Sequence, residues 1–226
     1  MRLPGKIALA VLVGAAFFVL RLALVGAASA FPATVDKCVD GDTLILDTGE
    51  RVRLAGIDTP EKGSGKTPAQ YYAREAHRFA ARLTQGKRVN VLPLSGASRD
   101  RHKRLVAEII LPDGRSLNEE LLRKGMGYLY LHRNLPEKLV RRLQAAQRAA
   151  LDEREGCWKK VLSSREARQP YIGNSKSFRF FSPSCLRQTS VSPKRQRRFD
   201  DLEAAFRAGY APARQCDIWP AAQGDE

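Results

Sequence analysis

The sequence predicts an α+β fold: a five-stranded Greek-key β-barrel flanked by three helices, followed by a small C-terminal appendage. Three observations lead there. Between residues 34 and 111, five short apolar-rich runs are separated by turns containing Gly, Asp or Pro. One stretch of helical periodicity lies between the third and fourth runs, and two follow the fifth. Gly156-Cys157-Trp158 closes the patterned region, and a polar stretch separates it from a last compact segment.

Residues 34–39 form the first strand, Asp40-Gly41-Asp42 turns the chain, and residues 43–47 form the second. Thr48-Gly49 leads into a third strand over residues 50–57. There Val52, Leu54 and Gly56 alternate with Arg51, Arg53 and Ala55, the period of a half-buried strand. After a Gly/Lys-rich loop at 63–68, Tyr72, Ala76, Phe79, Ala80 and Leu83 stand at helical spacing, with Gly86 as the stop. The fourth strand covers 88–93 and the fifth 105–111, closed by Pro112-Asp113-Gly114. A short helix over 117–124 ends at Gly125. A longer one runs from 136 to about 154 with Leu139, Leu143, Ala146 and Ala150 along one face. Residues 31–158 thus make the main domain. Residues 159–170 read as a linker, 171–219 as a small module short for an independent domain, and 220–226 as a tail.

The first 30 residues read as a leader. Arg2 and Lys6 precede an apolar run from residue 7 to 20, and Ala28-Ser29-Ala30 has the small-x-small form of a signal-peptidase site. This predicts export, with cleavage after Ala30. The alternative is a retained anchor, because residues 7–28 as a helix would span about 33 Å. The formal charge of the whole chain is +15, and removing the leader takes away three cations and no anion, leaving +12. Such an excess predicts a polyanionic partner, nucleic acid or an anionic membrane surface. Four cysteines remain, Cys38, Cys157, Cys185 and Cys216. In an exported chain they favour disulfides. Three connectivities are open, and sequence order suggests Cys38–Cys157 and Cys185–Cys216.

The candidate chemistry lies in two acidic clusters. Asp40-Gly41-Asp42-Thr43 heads the second strand and Asp58-Thr59-Pro60-Glu61 ends the third. Alone, each is explained by turn conformation. In an antiparallel hairpin, however, the start of one strand lies opposite the end of the next, so Asp42 and Asp58 are expected to be neighbours. Paired carboxylates repel unless a cation lies between them, and hard oxygen ligands select calcium or magnesium. Arg53 precedes Asp58 on the same strand. Asp100-Arg101-His102-Lys103-Arg104 leads directly into the fifth strand, which ties Arg104 to the barrel.

The blocks Val39-Asp-Gly-Asp-Thr43, Arg53-Leu54, Ile57-Asp-Thr-Pro-Glu61 and residues 100–107 together resemble the staphylococcal nuclease family. The likeness continues through Leu117-Asn118-Glu119, Lys124-Gly125-Met126, Ala145-Ala146-Gln147 and Gly156-Cys157-Trp158, over roughly residues 33–158. It implies an OB-fold barrel that cleaves DNA and RNA with Ca²⁺ and leaves 3′-phosphorylated ends. It implies that Asp42, Asp58 and the Thr59 carbonyl hold the metal, and that Glu61 orients or deprotonates the attacking water. Arg53 and Arg104 would grip the phosphate. His102 stands where the family often has tyrosine. Arg101, His102, Tyr130 and Lys66 are candidate substrate contacts, against the plainer reading of surface or core packing.

Two features mislead. Gly63-Ser-Gly-Lys-Thr67 mimics the end of a phosphate-binding loop, but Pro60 stands where that pattern needs Gly and no helix opens after it. The tail looks like a degenerate form of the metal-binding region of the Ada repair protein. Phe181 and Ala213 stand where His and Cys are expected there. That leaves two sulfurs, short of a closed zinc site. A noncatalytic barrel that only binds nucleic acid is the alternative function, but such modules usually lose the acids or arginines present here. A membrane-surface protein would account for the charge and for none of the acids.

Overall fold

The computed structural model describes residues 29–65, 67–95, 99–132, 134–186, 191–216 and 219–220. The leader reading and Lys66 therefore fall outside the described residues, apart from Ser29 and Ala30. Strands β1 (Phe31–Cys38), β2 (Thr43–Leu46), β3 (Arg51–Leu54), β5 (Arg88–Pro93) and β6 (Leu105–Ile110) close into a barrel in the order β1-β2-β3-β6-β5. The β3–β6 pairing is parallel and the others are antiparallel. This is the expected architecture, and its centre is a buried apolar cluster that includes Val35, Leu44, Val52, Val91 and Ile109.

One predicted element divides. The third strand stops at Leu54, and the chain turns through Ala55 and Gly56, whose φ is +75°. Ile57–Asp58 then forms a separate strand, β4, paired with β7 (Tyr128–Leu129) in a two-stranded sheet. Nor does β3 alternate as expected: Val52, Arg53 and Leu54 are all buried. The reason lies in the charges around Arg53, described below.

The helices form where periodicity places them: α1 (Ala73–Thr84), α2 (Leu117–Arg123) and α3 (Glu137–Asp152). Helix α2 opens with a serine cap, Ser116 Oγ accepting from Glu119 N at 3.4 Å. Its buried Asn118 ties the helix to the barrel. Asn118 Oδ1 accepts from Ile109 N at 3.1 Å and its Nδ2 donates to the Ala55 carbonyl at 2.9 Å. On α3 the predicted face of Leu139, Leu143, Ala146 and Ala150 is buried. With it goes Gln147, which accepts from Leu129 N at 2.6 Å and donates to the Phe206 carbonyl at 2.7 Å.

That last bond reaches the appendage, which packs closely on the barrel. The stretch expected as a linker holds helix α4 (Trp158–Val161) and buries Val161 and Ala167. Beyond it, β8 (Tyr171–Asn174), β9 (Arg179–Phe181), β10 (Gln196–Phe199) and β11 (Ala211–Pro212) form a sheet in the order β10-β8-β9-β11. Helices α5 (Pro183–Leu186) and α6 (Leu202–Arg207) pack with it. A second apolar core joins Tyr128, Ala150 and Trp158 of the barrel side to Phe180, Phe206 and Trp219 of the appendage. Trp158 meets Phe206 edge-on at 4.7 Å between ring centres and Trp219 at 6.1 Å.

Cys185 and Cys216 are joined as expected. The suggested Cys38–Cys157 bridge is not formed, because the two thiols belong to different cores. Cys38 ends β1 and donates to the Asp40 carbonyl at 2.8 Å, whereas Cys157 is buried beside Trp158 in the second core. Burial pushes the Cys38 thiol up to about 12 and raises that of Cys157 as well, so both remain inert thiols.

Replacing Asn118 by Ala would strip two buried backbone groups, Ile109 N and Ala55 O, of their partners. At about 1–3 kcal/mol for each unpaired buried group, Asn118→Ala is expected to lower stability by roughly 2–6 kcal/mol in urea unfolding. A loss below about 1 kcal/mol would mean that water replaces both bonds.

Candidate active site

Two adjoining clefts open at one end of the barrel. The first, about 440 Å³, is walled by Asp40, Asp42, Asp58, Glu61, Arg53 and Arg104 among others. The second, about 420 Å³, extends from Arg53 and Arg104 past Arg101 to Tyr130. Arg53, His102, Arg104 and Arg214 line both.

The acids and Arg53 form the floor. Thr43 at the start of β2 pairs with Arg53 of β3. This register sets Asp42, one residue earlier, beside the guanidinium. Arg53 Nη1 lies 2.9 Å from Asp42 Oδ2, while its Nη2 is paired with Asp58 Oδ1. One guanidinium therefore bridges both aspartates, and all three residues are buried. Asp42 and Asp58 are neighbours as predicted, but by a different route. Asp58 is brought back on β4, and Asp42 Oδ2 holds the next residue, accepting from Thr59 N at 3.0 Å and Thr59 Oγ1 at 3.3 Å. The β4–β7 approach requires a bare residue at 127: a Cβ on Gly127 would stand 2.4 Å from the Asp58 carbonyl oxygen.

Burial, and then the neighbouring Asp42, push the Asp40 carboxyl up to about 6. Burial pushes Asp58 up to about 7, with Arg53 opposing the shift and Asp42 adding to it. Tyr128, buried beside Asp58, is held well above its ordinary value. It stays a neutral donor, its hydroxyl 3.2 Å from Asp58 Oδ2. The cleft thus retains negative charge that Arg53 alone does not neutralise. Among the described residues no three His, Cys, Asp or Glu side chains converge into a ready-made metal cage. Two buried carboxylates with further oxygen atoms beside them do fit a hard cation that keeps part of its water.

The remaining predicted residues occupy the rim. Glu61 is exposed, its backbone fixed by N–H donation to Gln70 Oε1 at 2.8 Å. Arg104 is half-buried: Nη1 donates to Thr43 Oγ1 at 3.1 Å, and Nε donates to Asp100 Oδ2 at 2.8 Å. Asp100 Oδ1 also accepts from the backbone N–H groups of His102 and Arg104, at 2.9 and 3.0 Å, shaping the turn that presents both. Arg101 and His102 are exposed on that turn, with Arg101 Nε 3.0 Å from His102 Nε2. Tyr130 lines the second cleft under the Arg179 guanidinium, 3.4 Å from the ring centre.

Sequence reasoning missed three members. Asp40 was passed over as a turn residue, and Tyr128 gave no sign that its hydroxyl would meet Asp58. Arg214 comes from the appendage, 110 positions beyond the last predicted arginine, and the Ada-like reading of that region gave it no role.

The family model described as staphylococcal nuclease homologue matches residues 51–160. A thermonuclease of Staphylococcus hyicus is 32% identical over 129 residues, covering 55% of this chain and 73% of the relative. An uncharacterized endonuclease of Escherichia coli is 31% identical over 127 residues, covering 55% and 74%. A probable endonuclease of Komagataella phaffii is 30% identical over 112 residues, covering 47% and 48%.

The raised Asp58 gives a signed prediction for the metal-free protein. Because the folded state holds this proton more tightly than the unfolded chain, unfolding releases it between about pH 4 and 7. The contribution of Asp58 to stability therefore falls as pH rises through that window, and the loss is complete above about 7. Asp58→Asn cannot ionise. In urea unfolding with chelator it is expected to match the parent near pH 4 and to exceed it at pH 8 by more than about 1.4 kcal/mol, the worth of one pKa unit. A variant less stable than the parent at pH 8 would contradict the cost assigned to this buried charge.

Proposed function

The chain belongs to the staphylococcal nuclease family, and from that membership and the acid-and-arginine cleft we propose that it is an exported, calcium-dependent nuclease of DNA, RNA or both that leaves 3′-phosphate ends. Hydrolysis of nucleic-acid phosphodiester bonds follows from the family. The metal, the compartment and the product ends are our reading. The observation that carries it is the convergence of Asp42, Asp58, Glu61, Arg53 and Arg104 on one cleft.

Asp42, Asp58 and the Thr59 carbonyl would hold the ion, which when bound polarises a phosphoryl oxygen and neutralises charge. The chain's own groups do the rest. Glu61, exposed at the rim, accepts a proton from the attacking water as its oxygen bonds to phosphorus. The P–O5′ bond breaks and the departing oxygen takes up a proton, leaving a 5′-hydroxyl and a 3′-phosphate. Arg53 and Arg104 donate to the phosphoryl oxygens as charge builds on them. A guanidinium carries five N–H donors, so Arg53 can serve a phosphate while it still bridges the aspartates. Arg101, His102 and Tyr130 bound the path of the strand beyond the scissile bond, and Lys66 is a further candidate on the loop.

Export accords with the Cys185–Cys216 bridge, since disulfides persist in oxidising compartments. The leader is read as cleaved after Ala30 rather than retained as an anchor. We read the appendage as a degenerate relative of the Ada metal-binding region. Its two cysteines are spent on the disulfide, so no thiolate pair is left for zinc.

Incubating the chain with DNA and with RNA in Ca²⁺, Mg²⁺ or excess chelator, and identifying the product ends, tests the reading. Cleavage in Ca²⁺ that stops with chelator is expected. Binding without cleavage under every condition would favour the noncatalytic alternative. Glu61→Gln should lower turnover by about 10²–10⁴-fold at an unchanged melting temperature. Arg104→Lys, which keeps the charge but loses the fork, should cost at least about 10²-fold in kcat. Near-parental turnover in either variant would remove that residue from the mechanism.

A further inference from the structure

We propose that Arg214, brought in by the appendage, binds a phosphate of the substrate strand where the two clefts join, and that the Cys185–Cys216 disulfide straps it there. The proposal rests on the nuclease reading for the identity of the ligand. Arg214 lies outside the family match, which ends at residue 160.

Position is the first argument. Arg214 is one of four residues lining both clefts, and so stands on the route from the acidic floor to Tyr130. Its guanidinium lies 3.9 Å from Asp58 Oδ2, too long for a direct hydrogen bond. Asp58 is already served by Arg53 and by the Tyr128 hydroxyl. The Arg214 side chain is 53% exposed. It is therefore held near the reacting centre without being consumed there, which leaves its fork of donors for a planar anion. Tyr130 lies 5.9 Å from it and is covered by a second appendage arginine, Arg179. Two guanidinium groups of the appendage thus flank the aromatic end of the cleft.

The backbone around Arg214 is clamped on both sides. Upstream, β11 runs parallel to β9, and Ala211 N and Ala213 N each donate at 3.0 Å, to the Phe178 and Phe180 carbonyls. Downstream, Cys216 N donates to the Ala213 carbonyl at 2.8 Å, and its sulfur is bonded to Cys185. Beyond that, Trp219 Nε1 donates to the Tyr71 carbonyl at 2.9 Å, and Tyr71 N donates to the Pro220 carbonyl at 2.8 Å. A surface arginine that only solvates the protein has no need of such a mount. Pre-ordering the backbone lowers the entropy lost when the side chain closes on a ligand.

The test compares the full chain with Arg214→Ala and Arg214→Lys. Affinity for a single-stranded oligonucleotide is measured in chelator at several salt concentrations, and kcat and KM in calcium. Arg214→Ala is expected to bind about tenfold more weakly, as for loss of one charge-assisted hydrogen bond. Its log K against log[salt] slope should fall by about 0.7, the value for one phosphate contact on a single strand. KM should rise to match while kcat stays within about twofold. Arg214→Lys should restore the salt slope, which a packing defect would not. Reducing the disulfide with dithiothreitol should bring the parent to the Arg214→Ala affinity and leave Arg214→Ala itself unchanged. Parental affinity and salt slope in Arg214→Ala would overturn the phosphate assignment. Parental affinity after complete reduction would overturn the strap. Chelated binding reads Arg214 whether or not the parent cleaves, so failure of the nuclease reading would show separately, as absent cleavage.

Discussion

The cleft depends on a single buried guanidinium. Arg53 sits in the wall of a small barrel where strand alternation calls for an outward side chain, and it is buried because two aspartates are buried with it. Removing Arg53 would leave both buried aspartates uncompensated, typically at a cost of about 3–5 kcal/mol. The cluster therefore fixes the local register: Thr43 must face Arg53, and Asp58 must return on its own short strand rather than continue β3. Burial leaves Asp40 and Asp58 raised even beside a permanent cation, and the neighbouring Asp42 adds to both shifts.

The barrel was legible because its strands are short, apolar and bounded by turn residues, and the three helices because their buried faces repeat at helical spacing. The partnership of Asp42 and Asp58 was legible from topology alone. Its mechanism was not, since no local pattern distinguishes a strand that ends at Leu54 from one that runs on to Ile57. The buried Arg53 breaks the period-two pattern for a reason that exists only in three dimensions. Cysteine order misled at Cys38 because order carries no information about which core a residue enters. The polar stretch after Trp158 concealed Val161 and Ala167, which are buried in a core completed by residues later in the chain.

The appendage, taken from the sequence as a separate small module, shares its core with the barrel. Trp158 closes the barrel's last turn and is also the surface on which Phe206 and Trp219 pack. Gln147 bonds β7 with one end of its amide and the appendage with the other, so displacing the appendage would leave the buried Gln147 amide without its Phe206 partner. Tyr128 joins this second core and also donates to Asp58. Packing of the tail is thus coupled, through one tyrosine, to the orientation of a carboxylate in the cleft.

This coupling bears on how the positive charge is arranged. The chain carries far more cations than anions, yet the floor of its cleft is acidic around Arg53, and further arginines stand around the mouth: Arg51 from the barrel, Arg104 after its turn, and Arg214 from the appendage. A strand of phosphates would be attracted by the rim and would meet the acids only at depth. If the barrel alone supplied the rim, the side facing the appendage would lack a cation. The strap across Ala213 and Cys216 places one there on a backbone already held by a disulfide and a strand pairing, so the substrate does not have to order it.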